Sequence, residues 1–440
     1  MALAMRWIYS AVFYLVLPLV LARLALRGIK TPDYLKRIRE RLGFYKNQHD
    51  HADIWFHAVS VGEAEAIFPL VRRIQSHYPA KKILVTTTTL TGSSRVRAVL
   101  GDSVEHVYLP YDLPDAVGRF LAGFRPGLAV VVETEIWPNL FAQCARLHIP
   151  LFIVNARLSQ KSTRGYLKIP GLMGATLAHV SLIAAQTQAD AERFVQIGVK
   201  RSRVKAVGNL KFDSVFEPEL VEQGKRLKTG LFAKRFVWII ASTHNKEESV
   251  FLELYRDLKT AIPNLLLLLA PRHPERFNDV EKLCLQARLA VLKRSSDHPC
   301  SEKTDVFLLD SMGELKLFYA AADLAFVGGS LVPAGGHNVL EPAALGVPIL
   351  FGPYMDNFRE IERNILAHQA AIQCPDKAAI SEAVRSLNAD ANKSRELSVR
   401  GRQFVEQNRG ALARVVRLLS EALAAETVGL IKITHPSHQD

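Results

Sequence analysis

At 440 residues the chain is too long for one ordinary core and implies two domains. Lys and Arg number 56 against 43 Asp and Glu, and the resulting +13 suits nucleic acid, an anionic membrane or phosphorylated substrates. No zinc-finger spacing, RNP-like motif or aromatic–basic interleaving supports nucleic acid, and four scattered cysteines without a C-x-x-C pair speak against a disulfide framework or metal site.

Trp7 to Leu26 is a mostly apolar run, interrupted by Pro18 and Arg23, of about the 20-residue length that spans a bilayer. No A-x-A-like cleavage site follows. The basic flank that does follow, Arg27, Lys30, Lys36, Arg37, Arg39, Arg41 and Lys46, keeps everything downstream in the cytoplasm by the positive-inside rule. Residues 1–27 therefore read as an uncleaved anchor, spanning a membrane or lying in its interface.

Ile54 to Val59 predicts a strand, and Ser60-Val61-Gly62-Glu63 opens a helix that runs to Ser76. Ser-x-x-Glu before an apolar-periodic run is a capping box. The same Glu63 stands at the carboxyl end of a strand, where open α/β sheets place ligands, and a helix N-terminus would lower its pKa and keep it ionised at pH 7. After the strand Lys82–Val85, Thr87 and Thr88 can hold a sugar or phosphate, while Thr91 can cap a helix. The buried strand Leu128–Val132 delivers Glu133, Glu135, Trp137, Pro138 and Asn139 to the same sheet edge. Past the strand Pro150–Val154, Arg157, Lys161 and Arg164 suit a bis-phosphorylated acceptor or form a solvated charged face.

Polar residues 217–230 read as a linker, so 28–216 forms one α/β domain and 231–428 another. In the second, Phe236–Ile240 ends in Ala241-Ser242-Thr243-His244, and Leu265–Ala270 ends in Pro271-Arg272-His273-Pro274-Glu275-Arg276. Arginine there can balance a departing phosphate or form a structural pair with a glutamate. Ser311-Met312-Gly313-Glu314 precedes another helix start. Ala325–Val327 predicts a strand that stops at Gly328-Gly329-Ser330; Gly335-Gly336-His337-Asn338 and a helix ending at Gly346 follow. Such a glycine loop lets N–H groups approach an anion, and Glu341 in the first turn can accept ribose hydroxyls or merely complement the dipole. Residues 378–423 are amphipathic helix whose last segment is expected to cross back to the first domain, with a disordered tail over 429–440.

GGS followed by GGHNxxEPAALGVP resembles the donor-nucleotide motif of two-domain GT-B glycosyltransferases, and most of all the Kdo transferases of lipopolysaccharide synthesis. SxGE at Ser60–Glu63, ETEIWPN at Glu133–Asn139 and PRHPER at Pro271–Arg276 extend the resemblance over nearly the whole chain. It implies two doubly wound α/β domains facing a cleft, behind the N-terminal anchor helix. It also implies transfer of 3-deoxy-D-manno-oct-2-ulosonic acid (Kdo) from CMP-Kdo, a co-substrate rather than a cofactor, to a lipid A precursor at the cytoplasmic face of a bacterial inner membrane. The displacement is expected to be inverting and metal-independent, with Glu63 as base. Arg272, His273, Met312, Gly313, Glu314, Gly328, Gly329, Ser330, Asn338 and Glu341 are expected to hold the donor. Ser60, Gly62, Thr87, Thr88, Glu133, Glu135, Asn139 and Arg157 are expected at the acceptor. A GT-B enzyme using a UDP-sugar, or a non-catalytic membrane-tethered binder, remains the alternative.

Overall fold

Two seven-stranded sheets, parallel throughout, organise the protein. The computed structural model describes residues 2–46, 51–213, 218–296 and 298–433. The first sheet comprises β1 (Ile54–His57), β2 (Ile83–Thr87), β3 (Glu105–Tyr108), β4 (Leu128–Val132), β5 (Leu151–Ala156), β6 (Leu182–Ala185) and β7 (Val204–Ala206), in the order β3-β2-β1-β4-β5-β6-β7. The second comprises β8 (Phe236–Thr243), β9 (Leu265–Pro271), β10 (Val291–Lys293), β11 (Val306–Leu308), β12 (Leu324–Val327), β13 (Ile349–Phe351) and β14 (Ile372–Gln373). Its order is β10-β11-β9-β8-β12-β13-β14.

Central strands such as Leu128-Ala129-Val130-Val131-Val132 are buried on both faces, as continuous apolar runs require when helices cover a parallel sheet. Strand order reverses between β1 and β4 in one sheet and between β8 and β12 in the other. Crevices outside the carboxyl ends of those strands are where doubly wound sheets bind ligands.

The chain forms two compact units, Met1–Asp213 with Arg409–Asp440, and Ser214–Asn408. Helix Ala411–Ile433 belongs to the first, where Leu412, Val415, Val416 and Leu419 join Ile54, Phe56 and Val130 in one core. Its start is tied down by Asp213, whose carboxylate accepts from the N–H of Gly410 (2.7 Å) and of Leu412 (2.8 Å). The N-terminal helix, α1 (Ala2–Lys30), also belongs to this unit and is long and apolar enough to cross a membrane.

Three expectations are corrected. The stretch read as a linker is helical over Pro218–Leu227 and onward to Phe232, because Leu220, Val221, Leu227 and Leu231 lie along the core of the second unit beneath a charged outer face. The tail read as disordered from 429 is helical to Ile433; residues 434–440 lie outside the described residues. The cap of helix Leu90–Leu100 is Thr89, not Thr91: its hydroxyl accepts from the Gly92 N–H at 3.1 Å.

Candidate active site

In the first unit, the reversal point brings the end of β1 beside the end of β4. Ser60 caps helix Val61–His77, accepting from the Glu63 N–H at 3.4 Å. Glu63 reaches back as in a capping box but one residue further, taking the Val59 N–H at 2.7 Å, and also accepts from the Ser60 hydroxyl at 3.0 Å. Two bonds leave a carboxylate lone pairs to spare. Glu63 is half-buried, and that burial pushes its carboxyl up to about 7, reinforced by the charges of Glu133 and Glu135 and opposed by the Val59 N–H. The expected depression by the helix terminus is thus overturned: desolvation outweighs one backbone hydrogen bond.

Glu133 has φ of 59°, a left-handed conformation uncommon outside glycine, and Asn155 at the neighbouring strand end has φ of 51°. Strain of this kind persists where surrounding contacts over-determine it. Glu133 is held by Lys211 at 3.1 Å and Arg157 at 3.5 Å, while Asn155 Oδ1 accepts from the Leu210 N–H at 3.0 Å. Burial raises the Glu135 carboxyl, and Glu133 adds to it. Lys211 escaped the sequence reading because 78 residues separate it from Glu133.

Not every expected acceptor residue joins this group. Thr88 does, half-buried with its hydroxyl donating at 3.5 Å to the carbonyl of Val59, whose N–H Glu63 takes; Gly62 is exposed. Thr87 is fully buried, its hydroxyl 3.1 Å from His106 Nε2. Asn139 is 3% exposed, and its amide donates to Ser10 of α1 (3.0 Å) and to the Asp112 carbonyl (2.7 Å). It secures α1 and lines a cavity of about 210 Å³ with Arg6, Trp7 and Arg146, apart from the Glu63 group.

In the second unit, the reversal point carries a different surprise. The N–H groups of Gly329, Ser330 and Leu331 all donate to Glu247, at 2.8, 3.1 and 2.9 Å, and the His244 N–H adds a fourth bond at 2.8 Å. This glycine loop is an anion hole already filled by the protein's own carboxylate. Its φ of +65° at Gly329 aims the loop at Glu247, and a Cβ there would meet the rings of His337 and His244. Gly328 to Ser330 therefore shape the site through Glu247, and their N–H groups do not point at a ligand. Glu247 was invisible as a site residue because it reads as the first turn of an amphipathic helix.

Arg276 forms the structural pair: it grips buried Glu248 at 2.6 and 3.0 Å, while Thr243 donates to the same carboxylate at 2.7 Å. Arg272 and His273 are exposed at the end of β9. His244 and His337 stack at 5.1 Å with Nε2 to Nε2 at 2.9 Å, so one nitrogen carries the shared hydrogen and the other accepts it. His273 meets His244 edge-on at 5.4 Å. Burial, then Arg272, His244 and His273, push His337 down to about 3; burial and the neighbouring cations also lower His244. The histidine pair was missed because 93 residues separate its members.

Elsewhere on the same sheet edge, Met312 is 58% exposed beside Gly313. Glu314 is engaged by Arg294 at 3.0 Å and by the Ser311 hydroxyl. Asn338 caps the next turn by accepting from the Leu340 N–H at 3.1 Å, and Glu341 opens helix Leu340–Leu345 half-buried. The assembly is an edge with an exposed cation, Arg272, and three clustered histidines of which His337 is held neutral, beside Glu247, Glu248 and Glu314, already committed to protein contacts.

The family described as 3-Deoxy-D-manno-octulosonic-acid transferase (kdotransferase) matches residues 36–214, and Glycosyl transferases group 1 matches 233–404. The 3-deoxy-D-manno-octulosonic acid transferase of Haemophilus influenzae is 42% identical over 421 residues, covering 95% of this chain and 99% of that one. The chain belongs to the Kdo transferase family. This Kdo transferase is a glycosyltransferase, and both of its units carry their own family match. Among solved structures it is similar to the UDP-GlcNAc 2-epimerase of Neisseria meningitidis, with TM-score 0.53 and 13% identity over 84% of this chain and 99% of that one. That likeness establishes the GT-B fold. It is also similar to the C-terminal CMP-Kdo binding domain of WaaA from Acinetobacter baumannii, with 33% identity, 43% of this chain and 99% of that one covered, and TM-score 0.41.

Proposed function

We propose that this transferase moves Kdo from CMP-Kdo to a lipid A precursor at the cytoplasmic face of a bacterial inner membrane, by inverting displacement without a metal. The observation that carries the mechanism is Glu63: a half-buried carboxyl with a pKa of about 7 at the carboxyl end of β1. A group poised there can take a proton near neutral pH. Glu63 removes the acceptor hydroxyl's proton as that oxygen attacks the anomeric carbon, and the carbon–oxygen bond to the phosphate breaks with its electrons going to CMP. Arg272 meets the charge that develops on the leaving phosphate, with His273 beside it. Asn338 and Glu341 take the nucleoside, and Glu314 orders the Gly313 turn through Arg294. Ser60, Thr88, Glu135 and Arg157 stand around the acceptor's sugars and phosphates.

Membrane attachment belongs to the same reading: α1 is apolar, and the net charge of +13 suits anionic lipid. The test is to incubate purified protein with a lipid A precursor and CMP-Kdo, with and without a chelator, and weigh the products. A mass gain of one or more Kdo units, insensitive to chelator and inhibited by CMP but not UDP, is expected. No gain, or dependence on a UDP-sugar, overturns the assignment.

A further inference from the structure

We propose that α1 lies in the plane of the membrane surface, docked lengthwise on the first unit, and enters one leaflet together with the loop at Leu167–Ile169 rather than crossing the bilayer. The inference rests on the membrane attachment proposed above and specifies its geometry. Ser10, Leu24 and Gly28 of α1 are buried, and Met5, Arg6, Tyr9, Phe13, Leu17, Val20 and Leu21 are half-buried, a set recurring every three or four residues from one end of the helix to the other. Such a stripe is one helix face: helices Pro138–Arg146 and Pro170–Leu177 cover its first half, and the short helix Asp33–Lys36 covers its end.

The contacts are specific. Met5 packs on Gly171, Ser10 and Asn139 exchange hydrogen bonds at 3.0 and 3.2 Å, and the ring of Phe13 lies 6.3 Å from that of Tyr111. The Tyr14 hydroxyl donates to Asp115, and Leu35 packs on Gly28. Asp115, Asn139 and Gly171 sit in three different helices of the unit, so the first half of α1 is fixed to the globular body. Residues 15–30 rise only about 24 Å, short of a hydrocarbon core of about 30 Å. Just after their far end the chain is held to the body again, where Arg37 donates to the His106 carbonyl at 3.0 Å. Crossing would require breaking the polar contacts of Ser10 and Tyr14, which have no replacement partners in lipid.

The outward face is apolar and uncovered: Trp7, Ile8, Leu15, Leu19, Leu26 and Ile29 are each more than half exposed. Only 11% of the most apolar window of the helix is buried. The occupant that fits is an anionic bilayer surface. Arg23, Arg27, Lys36 and Arg39 are exposed at the C-terminal end of α1 and just after it, where they can reach phosphate head groups. An independent segment extends the apolar patch: Leu167 (48% exposed) and Ile169 (40%) flank exposed Lys168, just before the Gly171 on which Met5 packs. A loop that stayed in water beside a crossing helix would gain nothing from that pattern.

Two measurements test the geometry. First, full-length protein carrying an epitope before Ala2 is expressed, and inside-out vesicles of the host membrane are treated with protease while a lumenal marker reports sealing. Loss of the epitope together with the catalytic body is expected; a protected epitope with a digested body shows a crossing helix and overturns the inference alone. Second, Ile169→Asp, which places a residue suited to capping at the start of helix Pro170–Leu177, should weaken partition into vesicles of phosphatidylglycerol and phosphatidylethanolamine about ten-fold. CMP binding should stay unchanged. Unaltered partition removes the loop from the membrane and overturns the two-part surface. Failure of the parent protein to sediment with these vesicles or with host membranes sinks the membrane attachment itself, and the inference with it.

Discussion

Glu63 is both a helix cap and the proposed base, and the two roles make different demands on its proton. With its carboxyl at about 7, the ionised form accumulates between pH 6 and 8. Turnover per encounter, kcat/KM, should therefore rise with pH through about 7, and Glu63→Gln should cut kcat by about 10²–10⁴-fold and flatten that rise. A glutamine that retains parental turnover would leave Glu63 a cap only. The arginines of PRHPER separate in the same way. Arg276→Ala strands the buried charge of Glu248 and should cost about 3–5 kcal/mol in denaturant unfolding. Arg272→Ala should change stability by less than about 0.5 kcal/mol and weaken CMP binding about ten-fold, since a lost bond to a charged group is worth at least about 1.4 kcal/mol. Equal CMP affinity in calorimetry would remove Arg272 from the phosphate.

At the scale of elements, the central strands were legible because buried parallel strands are unbroken apolar runs, as in Leu128–Val132 or Leu265–Ala270. The short outer strands β3, β7, β10 and β14 carry no such run, β6 has only Leu182–Ala185, and all five went unread. What the loops at the strand ends do was only half legible. GGS after β12 carries the spacing of an anion hole, but nothing in the spacing says that the anion is Glu247, supplied from 82 residues away. Helix Pro218–Leu227 was hidden by its charged outer face, and Asn139 by a partner, Ser10, 129 residues upstream. The His244–His337 contact joins two such loop ends and has a measurable consequence. His337, held near 3, stays neutral in the folded protein at pH 5, whereas an unfolded histidine with the ordinary value of 6.5 takes a proton. Its contribution to stability is thus complete above 6.5 and is lost as pH falls from 6.5 toward 3. His337→Gln should lose less melting temperature than the parent between pH 7 and pH 5. Parallel losses in scanning calorimetry would mean that the ring titrates normally.

At the scale of the whole molecule, the chain leaves the first unit at Asp213 and returns to it at Arg409, so the first unit cannot close its core until the second has been made. Helix Ala411–Ile433 supplies Leu412, Val415, Leu419 and Leu423 to that core, each buried. A fully buried side chain of this kind contributes about 1.5–3 kcal/mol, so four of them rival the entire stability of a domain, about 5–15 kcal/mol. Ending the chain at Asn408 should therefore unfold or aggregate the first unit. The second unit is a continuous stretch with its own sheet and its own cores, and it contains every proposed donor residue from Arg272 to Glu341. Expressed alone as 214–408, it should melt cooperatively and bind CMP with the affinity of the full chain. The milder change Asp213→Ala removes only the two bonds at the helix start and should cost about 1–2 kcal/mol without loss of fold. Thermal melts of 1–408, 214–408 and the Asp213 variant decide the matter: a 1–408 protein that melts like the parent would show that the first unit completes its core without the returning helix.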